Sequence, residues 1–260
     1  GAGKSTLLAT LTGLVPHSVP AQVEGRIRLM GRDVKERSPA QWSDTASWLL
    51  QDAEQTLCGM TVADEIAFAL ENRGLEADTI AQAIEAAMAD VGIPASWRDR
   101  RAANLSGGEK QLIALAAVIA QRTPLVVADE PSAHLAPEAA DRLRALLLDK
   151  QPERSVLIVD HRLDGLLEHV DRVAVLGRDG GLLAIDAPRP LFRARGAELA
   201  RLGIWRPAAA ALDERLAEVG LAPETPPLTI AETLRPIDPP PRGKRSEAAA
   251  AVAAFIAGRV

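Results

Sequence analysis

Residues 104–131, NLSGGEKQLIALAAVIAQRTPLVVADEP, constrain the fold more than any other stretch of this 260-residue chain. Ser106 and Glu109 stand at the Ser-x-x-Glu spacing of a capping box, which predicts a helix starting there. Gly107 and Gly108 fall in its first turn, where each disfavours helix by about 1 kcal/mol relative to Ala. They make sense where a ligand must approach bare backbone, because first-turn amides lack helical acceptors and attract an anion such as a phosphate. Leu112, Leu115, Ala116 and Ile119 then share one helical face. Thr123-Pro124 ends the helix, and Leu125-Val126-Val127-Ala128 reads as a strand buried on both faces. Such a strand carries Asp129 and Glu130 to its carboxyl end, the edge at which α/β sheets bind ligands. A purely structural helix–strand pair accounts for the apolar residues, but not for the paired glycines or the adjacent acids.

The rest of the composition narrows the field. At 47% hydrophobic residues the chain can bury a real core, and its length suits one α/β domain with or without an appendage. A formal net charge of -5 argues against a broadly basic nucleic-acid surface. Cys58 is the single cysteine, so these residues form no disulfide among themselves and no cysteine-cluster metal site. No apolar run approaches the roughly 18 residues of a membrane-spanning helix.

LSGGEKQ, followed by a hydrophobic run ending in Asp-Glu-Pro, resembles the signature and Walker B motifs of ATP-binding-cassette (ABC) ATPases, in the family's order and spacing. The chain opens on Gly1-Ala2-Gly3-Lys4-Ser5-Thr6, the back half of a phosphate-binding loop Gly-x-x-x-x-Gly-Lys-Ser/Thr. The first glycine of that pattern would lie upstream of Gly1, so the sequence reads as a fragment of a longer protein, cut inside the loop. Within the loop, Lys4 would reach the β- and γ-phosphates and the Ser5 hydroxyl would bind Mg2+. Thr6 to Leu14 would continue as a helix whose first amides face the phosphates.

Val23 to Met30 alternates apolar and polar residues as a half-exposed strand does, and Gly31-Arg32-Asp33 turns it. This resembles the antiparallel β-subdomain of ABC domains. Ser47 to Leu50 is a short strand leading to Gln51. The stretch from Gln51, QDAEQTLCGMTVADEIAFALEN, resembles the Q-loop and next helix of energy-coupling-factor transporters, the bacterial uptake systems for vitamins and metal ions. Ala53 stands where that pattern usually has Pro. Thr61 and Asp64 offer a second helix cap, with Ile66, Ala69 and Leu70 on its apolar side, and Asp78 to Val91 is a further amphipathic helix ended by Gly92-Ile93-Pro94. Arg98, Arg100 and Arg101 read as a solvated basic cluster.

Beyond Pro131, the family's D-loop usually has Asp where this chain has Ala136. Nothing near His134 in the sequence completes a ligand set, so it reads as a surface residue. A helix is expected from Pro137 to Leu148, with Leu143, Leu146 and Leu147 inward. Ser155 to Val159 reads as another strand buried on both faces, closing in Asp160-His161-Arg162. Val173 to Leu176, a turn through Asp179-Gly180-Gly181, and Leu182 to Ile185 form a hairpin. From Pro207 the chain is rich in Ala and Pro, and Ala248 to Ala257 reads as a helix too short to span a membrane.

The resemblance implies an α/β fold: a P-loop NTPase-like, mostly parallel sheet with an antiparallel β-subdomain and a helical signature subdomain. This ATPase domain would cover residues 1–190, and residues 191–260 would be an extension or a linker to a second cassette. It also implies hydrolysis of ATP with Mg2+. Glu130, His161 and Gln51 would be catalytic, Ser5, Gln51 and Asp129 would hold the metal, and Gly1, Ala2, Gly3, Lys4, Ser5 and Thr6 would hold the phosphates. Ser106, Gly107 and Gly108 would act on ATP held by an opposing cassette. The implied partners are therefore a second cassette (homodimer, heterodimer or tandem fusion) and an integral membrane transporter subunit, with no nucleic acid. Such a protein sits peripherally on the cytoplasmic face of the membrane and powers solute import. Two alternatives are an ABC ATPase acting on nucleic acid or ribosomes, and a weakened cassette that serves its partner structurally. This chain has no long coiled-coil insertion between the motifs and no strongly basic signal, which argues against the first; Ala136 keeps the second open.

Overall fold

Beta-branched and leucine-rich runs with few charges pair into a parallel sheet, and the intervening amphipathic segments fold as helices over it. The computed structural model describes residues 2–234, except 134, 150–152, 162, 164, 219 and 221. In chain order the elements are α1 (Lys4–Leu11), a kinked turn α2 (Leu14–His17), β1 (Arg28–Leu29), β2 (Arg32–Asp33), α3 (Pro39–Trp42), β3 (Ala46–Leu49), α4 (Val62–Asn72) and α5 (Ala77–Val91). There follow α6 (Gly107–Ala120), β4 (Leu125–Asp129), α7 (Pro137–Leu148), β5 (Ser155–Val159), β6 (Val173–Leu176), β7 (Leu182–Asp186), α8 (Pro188–Arg201), α9 (Ala208–Glu218) and α10 (Ile230–Leu234). Contacts group residues 3–160 into one compact unit, and Ala2 with the residues from 161 onward into another.

In the first unit the sheet runs β3-β4-β5, with both pairings parallel. Central β4 is the most deeply buried strand, with Val127 and Ala128 at 0% exposure. Helices α4, α5 and α6 pack on one another, and Leu49, Ile66, Leu70, Val91, Ile113, Leu115 and Leu143 belong to one core that joins them to the sheet. Both capping boxes form: Thr61 with Asp64 opens α4, and Ser106 with Glu109 opens α6. Gly92, in the left-handed region at φ 75°, closes α5.

Four details differ from the sequence reading. Helix α1 starts at Lys4, earlier than Thr6, and stops at Leu11 because the chain turns left-handed at Gly13 (φ 77°). Val23 to Met30 keeps its alternation at the end, with Ile27 and Leu29 half-buried between exposed neighbours, but only Arg28 and Leu29 pair in a strand. Met30 and Gly31, both at positive φ, close it as a two-residue hairpin turn. Helix α6 is buried on more than the Leu112–Ile119 stripe, because it lies among α4, α5, α7 and β3; Ile113, Ala114, Val118 and Ala120 are buried too. Strand β5 is half-exposed instead of buried on both faces. It pairs with β4 alone among the described strands, and Leu157 is 37% exposed.

The second unit is built on the β6–β7 hairpin, whose turn is closed by the Gly177 amide donating to the Gly181 carbonyl (2.8 Å). Leu167, Val175, Leu191, Phe192, Leu199, Ala210 and Leu228 form its core. Arg189 pairs with Glu232 (2.7 Å) and Arg193 with the buried Asp213 (2.8 Å), tying α8 to α10 and α9. The sequence reading places no helix at α8, which precedes the Ala- and Pro-rich stretch, or at α9, which lies within it. Residues 248–257 lie outside the described residues.

Candidate functional site

Strand register assembles the acids. Leu49 pairs with Ala128 and Asp129 with Val159, so each chain leaving the sheet brings its next residues alongside the others. Gln51, two residues past Leu49, comes opposite Glu130, and its Nε2 donates to Glu130 Oε2 at 3.4 Å. Glu130 takes a left-handed backbone (φ 45°), and its amide donates to the Val159 carbonyl at 2.7 Å. Asp129 is 5% exposed, and its Oδ1 is buried with no hydrogen-bond partner. An unsatisfied buried carboxylate oxygen is costly unless something binds it. One step further on, buried Ser132 donates to Asp160 Oδ2 (3.0 Å), and Arg144 donates to the Ser132 hydroxyl (3.4 Å).

Two helix starts in this unit are suited to anions. Helix α1 begins after Gly3, which is left-handed (φ 74°) and offers no side-chain cap, so the amides of Lys4, Ser5 and Thr6 face outward uncapped. Lys4 is half-buried and makes no ion pair with a described residue; Ser5 and Thr6 are exposed. The α1 helix packs beside β4, and its Leu8 is buried. At α6, a Cβ added to Gly107 would meet nothing within 4 Å, leaving the first turn open to an approaching group. The capping box is braced from outside: Arg100 pairs with Glu109 (3.2 Å) and stacks on Trp97 at 4.6 Å from the ring centre. Hydrogen bonds from the Ser106 amide and hydroxyl, with Arg100 beside them, hold the Glu109 carboxyl below its usual pKa.

Among the residues named from the sequence, Gln51, Asp129 and Glu130 meet at the strand ends, while Gly3, Lys4, Ser5 and Thr6 line the start of α1 and Ser106, Gly107 and Gly108 the start of α6. Ala2 and His161 belong to the second unit, where His161 is exposed directly after Asp160 in the chain. Gly1 and His134 lie outside the described residues. Ala136 is the N-cap of α7 and gives it no side-chain hydrogen bond. Gln111 closes the LSGGEKQ run but has no role in the sequence reading. Only 2% exposed, it donates from Nε2 to the carbonyls of Leu50 (3.3 Å) and Pro131 (3.2 Å). Its signal in the sequence is its place at the end of the signature run, just ahead of the apolar helix face.

The donor set fits a nucleotide with a hard cation. Uncapped amides and a Lys with no ion pair among the described residues suit phosphates, while the Asp129 oxygen and the Ser5 hydroxyl suit Mg2+, which binds proteins through one or two oxygen ligands and completes its shell with phosphates and water. No cluster of three or more His, Cys, Asp or Glu that could cage a metal occurs among the described residues. None of their helices is long and apolar enough to cross a membrane.

Parallel sheet, uncapped glycine-led helix start and strand-end acids together fit a P-loop ATPase cassette. The family model for ABC transporter domains matches residues 1–133. A putative ABC transporter ATP-binding protein of Pyrococcus abyssi (strain GE5 / Orsay) is 35% identical over 240 residues, covering 84% of this chain and 84% of its own. The chain belongs to the ABC transporter family, as an ATP-binding cassette with ATPase activity. Its fold is similar to that of cbiO1 from Clostridium perfringens, described as part of the ABC transporter complex cbiONQ. That likeness has a TM-score of 0.62 at 24% identity and covers 78% of this chain and 82% of that one. It is also similar to a dimeric ATP-binding cassette in a post-hydrolysis state bound to ADP and Pi (TM-score 0.63, 17% identity, 72% and 81% covered).

Proposed function

We propose that this cassette hydrolyses Mg2+-ATP to drive solute import as the ATPase subunit of an energy-coupling-factor transporter, peripheral on the cytoplasmic face of the membrane. The observation that carries the hydrolytic reading is the meeting of Gln51 with Glu130 beside the unsatisfied oxygen of Asp129. Lys4 and the amides from Gly3 to Thr6 bind the phosphates. Ser5, Asp129 and Gln51 hold the cation, which supplies charge neutralisation for phosphoryl transfer. Glu130 takes the proton of the attacking water while Gln51 orients it; His161 is retained in the set on its place in the sequence order. Ser106, Gly107 and Gly108 serve the nucleotide of an opposing cassette, and the dimeric cassette of similar fold supports that pairing. Import is supported by the resemblance of residues 51–72 to energy-coupling-factor ATPases and by the likeness to cbiO1.

The test is Glu130→Gln in the full-length protein with its cassette partner and membrane subunit. ATP affinity should stay within about twofold while turnover falls by about a thousandfold, the scale of a lost general base. An ATP-bound dimer should accumulate on size exclusion, and uptake into proteoliposomes should stop. Turnover close to wild type would remove Glu130 from the role. A second reading, a cassette that binds nucleotide but serves mainly as a structural partner, is kept open by Ala136; ATP bound at this cassette's own site without turnover there would select it.

A further inference from the structure

We infer that Gln111 is a positioning residue for hydrolysis, holding the Gln51–Glu130 pair in register and tying it to the signature helix. The inference rests on the hydrolytic reading of Gln51 and Glu130. A primary amide nitrogen has two N–H groups. Both are used here, on the Leu50 carbonyl at 3.3 Å and the Pro131 carbonyl at 3.2 Å. Leu50 directly precedes Gln51, and Pro131 directly follows Glu130. The amide therefore bridges the backbones on either side of the 3.4 Å contact between the two side chains.

Neither carbonyl belongs to the β3–β4 ladder, whose last paired residues are Leu49 and Ala128. Beyond the ladder, the distance between the two chains is set by what spans them. Gln111 spans them from a helix that is itself buried nearly all round, so its own position is fixed by the core. Alongside it, Lys110 pairs with Glu54, three residues past Gln51, on the same side of the helix end. Gln111 also stands one turn from Gly107. A shift of α6 that moves the signature turn thus pulls on the two carbonyls, and through them on Gln51 and Glu130. The helix start offered to the opposing cassette's nucleotide and this cassette's own hydrolytic pair are joined through one amide. Misplacement of reacting groups by about 1 Å can cost up to a hundredfold in rate.

The experiment is a double-mutant cycle in the assembled full-length protein. Gln111→Met keeps the length and volume of the side chain and removes both donors. Its kcat for ATP hydrolysis should fall by about tenfold with KM within twofold, as expected when an interaction matters to the transition state and not to binding. In a Gln51→Ala background the same substitution should cost less than half as much on a logarithmic scale, because the pair it positions is gone. A general loss of fold quality would instead multiply through both backgrounds. Should Gln111→Met not fold, Gln111→Asn replaces it, carrying the same groups on a stem one methylene too short to span both carbonyls. Wild-type kcat in the folded variant, or equal fold-losses in the two backgrounds, overturns the positioning role. Glu130→Gln, run in parallel, separates the two ideas: if it abolishes turnover while the Gln111 variant does not, only the positioning role fails. If it leaves turnover intact, the hydrolytic reading fails and takes the inference with it.

Discussion

Asp129→Asn should make the nucleotide-free protein more stable while disabling it. The carboxylate is 5% exposed at the end of the central strand, and Oδ1 is buried without a partner. Burying an ion costs several kcal/mol unless it is paired, whereas a neutral amide of the same shape escapes the charge part of that cost. Part of the polar cost remains, because the amide also wants partners, so the expected net gain is about 1–2 kcal/mol. In a unit of this size each kcal/mol raises Tm by about 2–4 °C, so the shift should be about 2–8 °C. The assay is thermal unfolding of the full-length protein in EDTA without nucleotide. A second arm adds Mg2+-ATP at about 100 times its Kd, which should stabilise the wild type by about 2.7 kcal/mol. In the variant, the part of that increment that depends on Mg2+ should vanish. A Tm unchanged or lowered in EDTA would show that Asp129 is already satisfied in the folded protein. Equal Mg2+-dependent increments in both proteins would take the metal away from it.

Two further outcomes follow from the helix caps. Ala136→Asp places an acceptor at an N-cap that has none, so it should stabilise the fold by about 0.5–1 kcal/mol by chemical denaturation. With each site blocked in turn, it should raise turnover only at the opposing cassette's site; an unchanged rate there would leave Ala136 a tolerated variation. The second concerns pH. The Glu109 carboxyl is held below its ordinary value of 4.5 by Ser106 and Arg100, so its contribution to stability is complete above that value and is lost as pH falls through the lowered one. Denaturation midpoints of the wild type should therefore fall in this acid window more steeply than those of Glu109→Gln, and parallel curves would refute the assignment.

The sequence disclosed what is local and withheld what depends on neighbours. Capping boxes need residues three apart, so those at Ser106 and Thr61 could be read directly, as could the hairpin turning at Asp179-Gly180-Gly181. The run into Asp129 was legible because a strand buried on both faces has few other uses for so apolar a segment. The meeting of Gln51 with Glu130 follows from the pairing of Leu49 with Ala128, a register that no local pattern encodes. The role of Gln111 stayed hidden, although the residue closes the signature run, because its acceptors lie 61 and 20 residues away. Burial of Ile113 and exposure of Leu157 likewise depend on what packs alongside α6 and β5, whatever their own periodicity. Helices α8 and α9 are held by Arg193–Asp213 and a small apolar core, contacts that Ala- and Pro-rich composition does not advertise.

The backbone at Glu130 has an evolutionary consequence. At φ 45° a side chain is strained by about 1–2 kcal/mol, and glycine would relieve it. Against that relief stand the side chain's own contacts, among them the long, weak hydrogen bond from Gln51 at 3.4 Å. The substitution that relaxes the chain there is also one that strips the strand end of its second acid. Selection for heat resistance alone would therefore push this position toward glycine, and a lineage released from the need to hydrolyse ATP could fall silent by becoming sturdier.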